Sequence, residues 1–323
     1  MKAAVHTRYG PPDVVRIADI PRPVTGDNDI LVKVYATTVN RTDCGYRLAK
    51  PFIVRLFSGI RKPKATVLGN EFAGRVESVG SAVTSFAVGD RVFGYCEGTF
   101  GAHAEYLSIP QDSPVAIMPS NLSYQESAPG TEGAHYALAF ITRAKIRPGQ
   151  QVLVNGATGA IGSAAVQLLK SRGVSVTAVC RTENVALVKD LGADRVIDYA
   201  TEDFTASNDS YDVILDTVGK STFGRCKHLL RDRGIYLSSE LGPYSQNLFL
   251  PLLTPLLRGR RVVFPIPQQS AQIVAYLKEL MENGEFTPVI DRQYPLDEIV
   301  AAYRYVESGR KVGSVVITVV EPA

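Results

Sequence analysis

A short apolar run that leads directly into a glycine-rich turn and then into a helical pattern is the feature that most constrains the fold. The apolar run is 151–155 (QVLVN), the turn is 156–162 and the helix is predicted over 160–172. Alternation continues beyond it, with strands predicted at 174–180, 194–198, 212–216 and near 234–238 and a helix at 183–191. Such alternation requires a parallel sheet covered by helices on both faces. The middle of the chain is therefore predicted to be an α/β domain with a doubly wound parallel sheet.

The glycine-rich turn has the spacing of a dinucleotide-binding loop, A-x-G-x-x-G, with Ala157, Gly159 and Gly162 at the diagnostic positions. Gly159 would let the backbone approach a pyrophosphate, and Gly162 would let the helix pack closely on the strand. The N-terminus of the helix favours the negative charge of the pyrophosphate. A purely structural turn is the alternative, but the flanking strands favour the nucleotide site. The predicted cofactor loop is Gly156, Ala157, Thr158, Gly159, Ala160, Ile161 and Gly162.

The end of the next strand bears on which nicotinamide cofactor is preferred. Cys180 lies 21 residues beyond Gly159, near where NAD-binding domains place an acid for the ribose 2′-hydroxyl. Here Arg181 follows, and the first carboxylate is Glu183. A guanidinium group suits a 2′-phosphate, so the sequence favours NADP. The alternative is that Arg181 is a solvated residue at the end of the strand.

The first third of the chain is rich in strands instead. Short β-branched runs are separated by turn signals and occur at 2–5, 30–35, 73–79, 91–93 and 104–109. Runs of this kind predict a compact barrel-like sheet. A basic and partly apolar segment, 47–64, is predicted to be an excursion from this sheet at the rim of a substrate cleft. The β-branched run 314–320 is predicted to bring the C-terminus back to the same sheet.

Two further helices are predicted near the C-terminus, and a capping box precedes the α/β region. The helices are 268–283 and 296–307, and the capping box is 123–126, where Ser123 and Glu126 hold the two capping positions. The pattern changes from strands to strand–helix units at that point.

Composition narrows the class of protein. The chain has 323 residues, 45% of them hydrophobic, which suits two globular domains and excludes disorder. The net charge is only +3 and the basic residues are dispersed, which argues against nucleic-acid binding. The four cysteines are far apart and are predicted to be reduced thiols. There is no apolar signal-peptide region and no long apolar run, so a cytoplasmic protein with no membrane partner is expected.

Several motifs spread over almost the whole chain resemble those of one enzyme superfamily. They are 1–5 (MKAAV), 40–43 (NRTD), 68–74 (LGNEFAG), 79–92, 156–162, 191–194 (LGAD) and 313–319. Together they resemble the medium-chain dehydrogenase/reductase superfamily, and within it the zinc-free quinone oxidoreductase-like branch. The resemblance implies a chaperonin-10-like β-barrel catalytic domain of residues 1–122 completed by 265–323. It also implies a Rossmann NADP-binding domain of residues 123–264.

The sequence departs from the zinc alcohol dehydrogenases of that superfamily at the metal ligands. Asn40 stands where they have a Cys and Asn70 where they have a His, although Glu71 is retained. The third ligand is expected near Gly130 or Thr131, and neither can bind zinc. Amides are poor ligands for catalytic zinc, so no metal site is predicted.

Without a Lewis acid, hydride transfer to an electron-poor carbon is favoured over alcohol oxidation. The resemblance implies NADPH-dependent reduction of quinones or α,β-unsaturated carbonyls, for which the protein supplies orientation and hydrogen bonds. One alternative is a zinc-free NADP-dependent alcohol or carbonyl oxidoreductase. The other is a catalytically idle protein that binds the cofactor and acts as a partner.

The resemblance also assigns two candidate catalytic residues. It implies that the Asn40 amide faces nicotinamide and substrate, where it could donate to a developing oxyanion; the alternative is an Asn that stabilises its own turn. Tyr46 is implied to line the cleft, and its phenol would donate a proton only if its pKa is perturbed. Glu71 is expected to brace the site. Lys311 is expected to be solvated, and the alternative is that it reaches the cofactor cleft.

Further cofactor contacts follow from the same comparison. The resemblance places Thr131 on the nicotinamide side and Tyr199 near the adenosine phosphate. Val218 and Gly219 follow a sheet strand at its carboxyl end, where they are expected beside the nicotinamide ribose. With the glycine loop, Cys180 and Arg181, these residues complete the predicted cofactor site.

Members of this branch are commonly dimers, and the resemblance implies a homodimer here. The candidate interface is the run 235–266 with its apolar stretch 248–257, because open sheet edges and exposed apolar patches are what pairing covers. The alternative for this run is a lid over the cleft.

Overall fold

A computed structural model describes residues 1–96, 98–257, 259–268 and 270–321. The chain divides into two compact units. The barrel unit consists of Met1–Glu132, Gln269–Gly284 and Pro288–Ala323, and the Rossmann unit of Gly133–Gln268 and Glu285–Thr287. From the sequence, the two domain boundaries were predicted after residues 122 and 264.

The strands and helices, in chain order, occupy the following described residues. The strands are β1 Lys2–Val5, β2 Arg16–Asp19, β3 Asp29–Val39, β4 Glu71–Val79, β5 Arg91–Tyr95, β6 Tyr106–Pro110, β7 Val115–Ile117, β8 Gln151–Asn155, β9 Ser175–Cys180, β10 Arg195–Asp198, β11 Tyr211–Asp216, β12 Leu230–Ser238, β13 Arg261–Val263, β14 Ile290–Pro295 and β15 Ser314–Thr318. The helices are α1 Arg41–Leu48, α2 Val54–Ser58, α3 Tyr124–Ser127, α4 Glu132–Ala144, α5 Ala160–Lys170, α6 Val185–Asp190, α7 Phe223–Cys226, α8 Gln246–Leu253, α9 Ala271–Glu282 and α10 Ile299–Glu307.

The Rossmann unit is built on a six-stranded parallel sheet in the order β10-β9-β8-β11-β12-β13. Numbered within the unit, this is the order 3-2-1-4-5-6 of dinucleotide-binding folds. Its core contains Leu153, Ile214 and Tyr236 from neighbouring strands. The predicted doubly wound sheet is confirmed, with the short edge strand β13 as an addition.

The barrel unit is organised around the long strand β3, which pairs antiparallel with β4, β6 and β15. Register shifts between Leu31 and Val32, and between Val34 and Ala36, interrupt its pairing with β4. Bulges of this kind bend and twist a strand, so that it can serve several partners in a barrel-like sheet. Strand β15 brings the C-terminus back to this sheet, as predicted.

Residues 50–64 leave the sheet between α1 and β4 and contain only the short helix α2. The predicted excursion 47–64 is confirmed from residue 50 onward, whereas residues 47 and 48 belong to α1, and its place at the rim of a substrate cleft stays a prediction. Among the described residues, no helix has the length and apolar character needed to cross a bilayer. Cys44, Cys96, Cys180 and Cys226 are buried free thiols.

Candidate functional site

The glycine loop joins β8 to α5. At only one of its three glycines, Gly159, would the surrounding protein leave room for a side chain. A Cβ at Gly162 would lie 2.1 Å from the carbonyl oxygen of Gly156, and one at Gly156 (φ +84°) would lie 2.4 Å from Val218. These two glycines are required by packing within the protein. At Gly159 the nearest atom to an added Cβ is the Gly156 oxygen at 3.6 Å, an ordinary contact. The protein itself therefore does not require glycine there, which fits a ligand that approaches the backbone closely.

Helix α5 begins at this point with groups that suit an anion. Gly159 is its N-cap and offers no side-chain hydrogen bond. The first N–H groups of a helix have no partner within the helix, and the dipole places partial positive charge there. The loop and the helix N-terminus therefore fit the pyrophosphate of a dinucleotide.

The remaining predicted cofactor residues of the Rossmann unit lie at the same edge of the sheet. Cys180 ends β9, Tyr199 follows β10, and Val218 and Gly219 follow β11; these strands are parallel to β8. Arg181 is exposed, and its Nε lies 3.2 Å from the Glu183 carboxylate. The structure thus brings these residues and the glycine loop to one edge, with the Arg181 guanidinium in solvent.

Cys180 and Tyr199 differ in accessibility. The Cys180 side chain is buried, and burial raises the pKa of its thiol to about 11. A thiol with this pKa is neutral at physiological pH and acts as packing. Tyr199 is exposed, and its backbone N–H donates to the Cys180 carbonyl.

A buried polar network supports the loop after β11 and was not predicted. The Asp216 carboxylate accepts from Asn155 Nδ2 at 3.1 Å, from the Tyr236 hydroxyl at 3.0 Å and from the Ser221 N–H at 3.0 Å. Thr217 adds a hydroxyl bond to the Asn155 carbonyl at 2.9 Å. This network holds the backbone of Val218 and Gly219. The available signal was the polar residue that ends each of β8 and β11.

In the barrel unit, Asn40 sits at the start of α1, and both its amide oxygen and its amide nitrogen form hydrogen bonds with neighbouring residues. Its Oδ1 accepts from the Asp43 N–H at 3.0 Å, and the Asp43 carboxylate accepts from the Asn40 N–H at 3.1 Å, which forms a capping box. Its Nδ2 donates to Asn70 Oδ1 at 2.5 Å. The structure therefore shows the turn-stabilising role that the sequence left open, together with a hydrogen bond between the amides of Asn40 and Asn70.

Glu71 lies at the centre of the same cluster. Its carboxylate accepts from the Thr131 hydroxyl at 2.8 Å, the Glu132 N–H at 2.5 Å and the Thr38 hydroxyl at 2.7 Å. Burial raises the pKa of Glu71, and these hydrogen bonds oppose that rise. Glu71 thus braces the N-terminus of α4, and Thr131, a predicted cofactor contact, donates to it.

Glu132 extends this cluster and was missed by the sequence analysis. Its Oε1 accepts from the Thr42 hydroxyl at 2.5 Å and from Asn70 Nδ2 at 3.3 Å. Thr42, Asn70 and Glu132 are far apart in the sequence, and no sequence motif predicts their contact.

The expectation that Lys311 is solvated is wrong. Its side chain is half-buried, and its Nζ donates to the Gly313 carbonyl at 2.5 Å. Burial lowers the pKa of Lys311, while the negative charges of Glu132 and Glu71 oppose the shift. A cation near two buried carboxylates reduces the charge imbalance of the cluster.

The side chain of Tyr46 packs against the hydrophobic core of the barrel unit. Its ring packs against Phe100 with 4.6 Å between centroids. Both line a cavity of about 230 Å³ in the barrel unit whose other lining residues are His6, Phe57, Ser58, Pro63, Lys64, Ala65, Leu68 and Gly98. Asn40 is not one of the lining residues, so the two predicted catalytic side chains belong to different environments.

The donor set in the barrel unit does not fit a catalytic zinc ion. Among the described residues, no group of three or more His, Cys, Asp or Glu side chains could hold a metal. Asn40 and Asn70 are hydrogen-bonded to each other instead, and amides are poor zinc ligands.

Comparison with known proteins identifies the family. Residues 26–120 match the family model for the alcohol dehydrogenase GroES-like domain, and residues 191–317 match the one described as zinc-binding dehydrogenase. The 2-methylene-furan-3-one reductase of Solanum lycopersicum is 33% identical, over 98% of this chain and 79% of that protein. The NADPH-dependent alkenal/one oxidoreductase of Arabidopsis thaliana is 30% identical over the same shares.

A solved structure agrees with these sequence matches. The quinone oxidoreductase from Coxiella burnetii superposes with a TM-score of 0.89 at 27% identity, over 99% of both chains. The chain belongs to the medium-chain dehydrogenase/reductase superfamily, in its quinone oxidoreductase-like branch. It is an oxidoreductase that uses a nicotinamide cofactor.

Proposed function

We propose that the protein uses NADPH to reduce the carbon–carbon double bond of α,β-unsaturated carbonyl compounds, or quinones, without a metal ion. The observation that carries the proposal is an amide pair, Asn40 and Asn70, at the usual zinc positions of a nicotinamide-dependent oxidoreductase. The names of the tomato and Arabidopsis relatives, which act on conjugated carbonyls, support it. Such substrates delocalise the arriving charge themselves and need hydrogen bonds rather than a Lewis acid.

Residues of the Rossmann unit would hold the cofactor. The helix N-terminus at Gly159 binds the pyrophosphate, and Val218 and Gly219 contact the nicotinamide ribose. Arg181 binds the 2′-phosphate, which gives the preference for NADP over NAD. Tyr199 packs near the adenosine phosphate. When bound, NADPH would supply the hydride to the substrate, and water would supply the proton that completes the reduction.

The polar cluster of the barrel unit would stabilise negative charge on the substrate. The Asn40 amide donates to the carbonyl oxygen as it becomes an enolate or a hydroquinone oxygen. Glu71 and Glu132 hold this part of the chain in place through Thr131 and Asn70. Thr131 contacts the nicotinamide side. Tyr46 forms a wall of the cavity in the same unit, which would take the substrate.

We also propose that the protein is a homodimer. Helix α8 exposes Leu248, Phe249, Leu252 and Leu253. The edge strand β13 pairs with β12. An open edge beside an apolar face is the surface that a second copy would cover.

The product of an enal distinguishes the proposed reaction from carbonyl reduction. With NADPH and a 2-enal, we expect the saturated aldehyde, at a rate unaffected by a strong chelator. Product analysis by gas chromatography checks both points. An allylic alcohol would support the zinc-free carbonyl oxidoreductase instead, and a rate abolished by the chelator would contradict metal independence.

A further inference from the structure

Residues 50–64 (KPFIVRLFSGIRKPK) expose an unusual number of large apolar side chains. Five of them are between 49% and 72% exposed: Phe52, Ile53, Leu56, Phe57 and Ile60. Side chains of this kind are mostly buried in folded domains, and a group of exposed ones marks an interaction surface. We call this region the 50–64 surface.

The backbone of the 50–64 surface is held from its inner side. The Tyr9 hydroxyl donates to the Gly59 carbonyl at 2.6 Å and bonds to Ser58 Oγ at 2.8 Å. Arg55 lies over the Tyr9 ring, 4.9 Å from its centroid, and donates to the Ile60 carbonyl at 3.0 Å. These contacts fix the backbone of the segment while Phe52, Leu56 and Ile60 remain exposed to solvent.

The charge of the same segment has one sign. It carries five basic residues and no acidic one, and there is no acid between Asp43 and Glu71. None of the ion pairs found among the described residues includes one of these cations, which are Lys50, Arg55, Arg61, Lys62 and Lys64. Apolar side chains interleaved with basic ones suit the interface of an anionic lipid bilayer.

A second copy of the chain is a poorer occupant of this surface. A two-fold interface places the same patch against itself. Here that arrangement would bring five cations against five more with no acid in the segment. An anionic surface complements the charge instead.

We propose that the 50–64 surface docks on an anionic lipid bilayer, with Phe52, Leu56 and Ile60 among the acyl chains and the basic residues against lipid phosphates. No membrane partner was expected from the sequence, because it has no apolar signal-peptide region and no long apolar run. The exposure of these apolar side chains, together with the unbalanced positive charge of the segment, now favours binding to the surface of a bilayer.

The docking surface adjoins the cavity that contains Tyr46. Phe57, Ser58, Pro63 and Lys64 of the segment line this cavity. A bound bilayer would therefore lie beside this cavity. We infer that the substrates are lipophilic enones or quinones that are dissolved in the bilayer. This second part of the proposal rests on the proposed function, whereas the docking does not.

Vesicle co-sedimentation of the full chain tests the docking. We expect binding to vesicles of equal parts phosphatidylcholine and phosphatidylglycerol, weaker binding to phosphatidylcholine alone, and release in about 1 M NaCl, where screening is nearly complete. Phe52→Ser with Leu56→Ser should weaken binding at least about tenfold. Arg61→Glu with Lys62→Glu should weaken it at least about twenty-fivefold, since each basic residue contributes about fivefold.

Two matched pairs of substitutions on other exposed surfaces serve as controls. Val24→Ser with Val88→Ser removes exposed apolar side chains, and Lys189→Glu with Lys227→Glu makes the same change of charge. Both should leave vesicle binding within about twofold of the parent.

Absence of binding to anionic vesicles at low salt overturns the proposal. Self-association of the parent in sedimentation velocity would also overturn it, if the Phe52→Ser, Leu56→Ser variant alone loses that self-association.

Activity measurements separate this proposal from the proposed function. With a long-chain enone presented in anionic vesicles, Phe52→Ser with Leu56→Ser should raise KM at least about tenfold and leave kcat unchanged. With a short water-soluble enone the same variant should match the parent. If the parent binds vesicles but reduces neither enone, the docking stands and the proposed function fails. If it reduces both without binding vesicles, the docking fails.

Discussion

Asn40 combines a structural role with the proposed catalytic one, and two substitutions separate them. Asn40→Ser keeps a side chain that caps α1 but removes the amide donor, whereas Asn40→Ala removes both. We expect Asn40→Ser to lower kcat at least about tenfold, and to cost about 1–2 kcal/mol of unfolding free energy because Asn70 Oδ1 loses its buried donor. Asn40→Ala should lower the unfolding free energy by about 1 kcal/mol more, because it also removes the helix cap. Steady-state kinetics and urea unfolding measure these effects. An unchanged kcat in Asn40→Ser would show that Asn40 is only a cap.

His103 connects stability to acid pH. Its Nε2 donates to the Thr38 carbonyl at 2.7 Å, and its Nδ1 lies 3.4 Å from the Tyr303 hydroxyl, which can donate to the neutral ring. Burial lowers the pKa of His103 from 6.5 to about 4, although the Asp43 carboxylate lies 3.9 Å from Nε2. The folded state therefore binds its proton later than the unfolded state as the pH falls.

This shift predicts a loss of stability in acid. The contribution of neutral His103 is present above pH 6.5 and is lost as the pH falls towards about 4. Between pH 7.5 and 4.5 the parent should lose about 2–3 kcal/mol of unfolding free energy from this residue. In His103→Gln that part should be absent, as urea unfolding at the two pH values can show. The exposed His228, replaced by Gln, should leave the dependence unchanged. An unaltered dependence in His103→Gln would refute the assignment.

At the scale of elements, the two glycines around the start of α5 should respond differently to alanine. A Cβ at Gly162 would meet a backbone oxygen at 2.1 Å, so Gly162→Ala should destabilise the Rossmann unit by at least about 2 kcal/mol. Gly159→Ala has allowed backbone angles and an ordinary 3.6 Å contact, so it should cost at most about 1 kcal/mol. Its NADPH affinity should nevertheless fall at least about tenfold. Fluorescence titration checks this, and an unaltered affinity in Gly159→Ala would contradict the loop assignment.

The predictability of elements follows from how local their signals are. Strand β8 and the loop before α5 were predicted because an apolar run and a glycine spacing are local patterns. Strand β13 was not predicted because it has three residues, and β14 because its sequence, IDRQYP, lacks apolar alternation. Local patterns therefore identified the sheet of the Rossmann unit but not all of its edge.

The candidate site was predictable to a smaller extent. The position of Asn40 followed from a motif, but its bond to Asn70, and the bond of Asn70 to Glu132, depend on the packing of distant segments. The half-buried position of Lys311 has the same origin. The exposure of Phe52 and Leu56 could not be predicted either, because an apolar run in a sequence is equally compatible with a core.

At the scale of the whole molecule, the chain joins two kinds of chemistry. The Rossmann unit presents a loop, a helix N-terminus and Arg181 at one sheet edge, which suits a phosphorylated dinucleotide. The barrel unit presents a buried polar cluster that contains the hydrogen-bonded amides of Asn40 and Asn70. The central claim is that these units together form an NADPH-dependent reductase of conjugated carbonyls.

The ratio of kcat/KM with NADPH to kcat/KM with NADH, for a short enone, tests this claim most directly. We predict a ratio of at least about ten in the parent, from the charge-assisted bond of Arg181 to the 2′-phosphate. Arg181→Asp should bring the ratio to about one or below, mainly through NADPH. An enzyme that oxidises neither cofactor in the presence of enones or quinones would contradict the account. Equal losses with both cofactors in Arg181→Asp would contradict the assignment of the phosphate site.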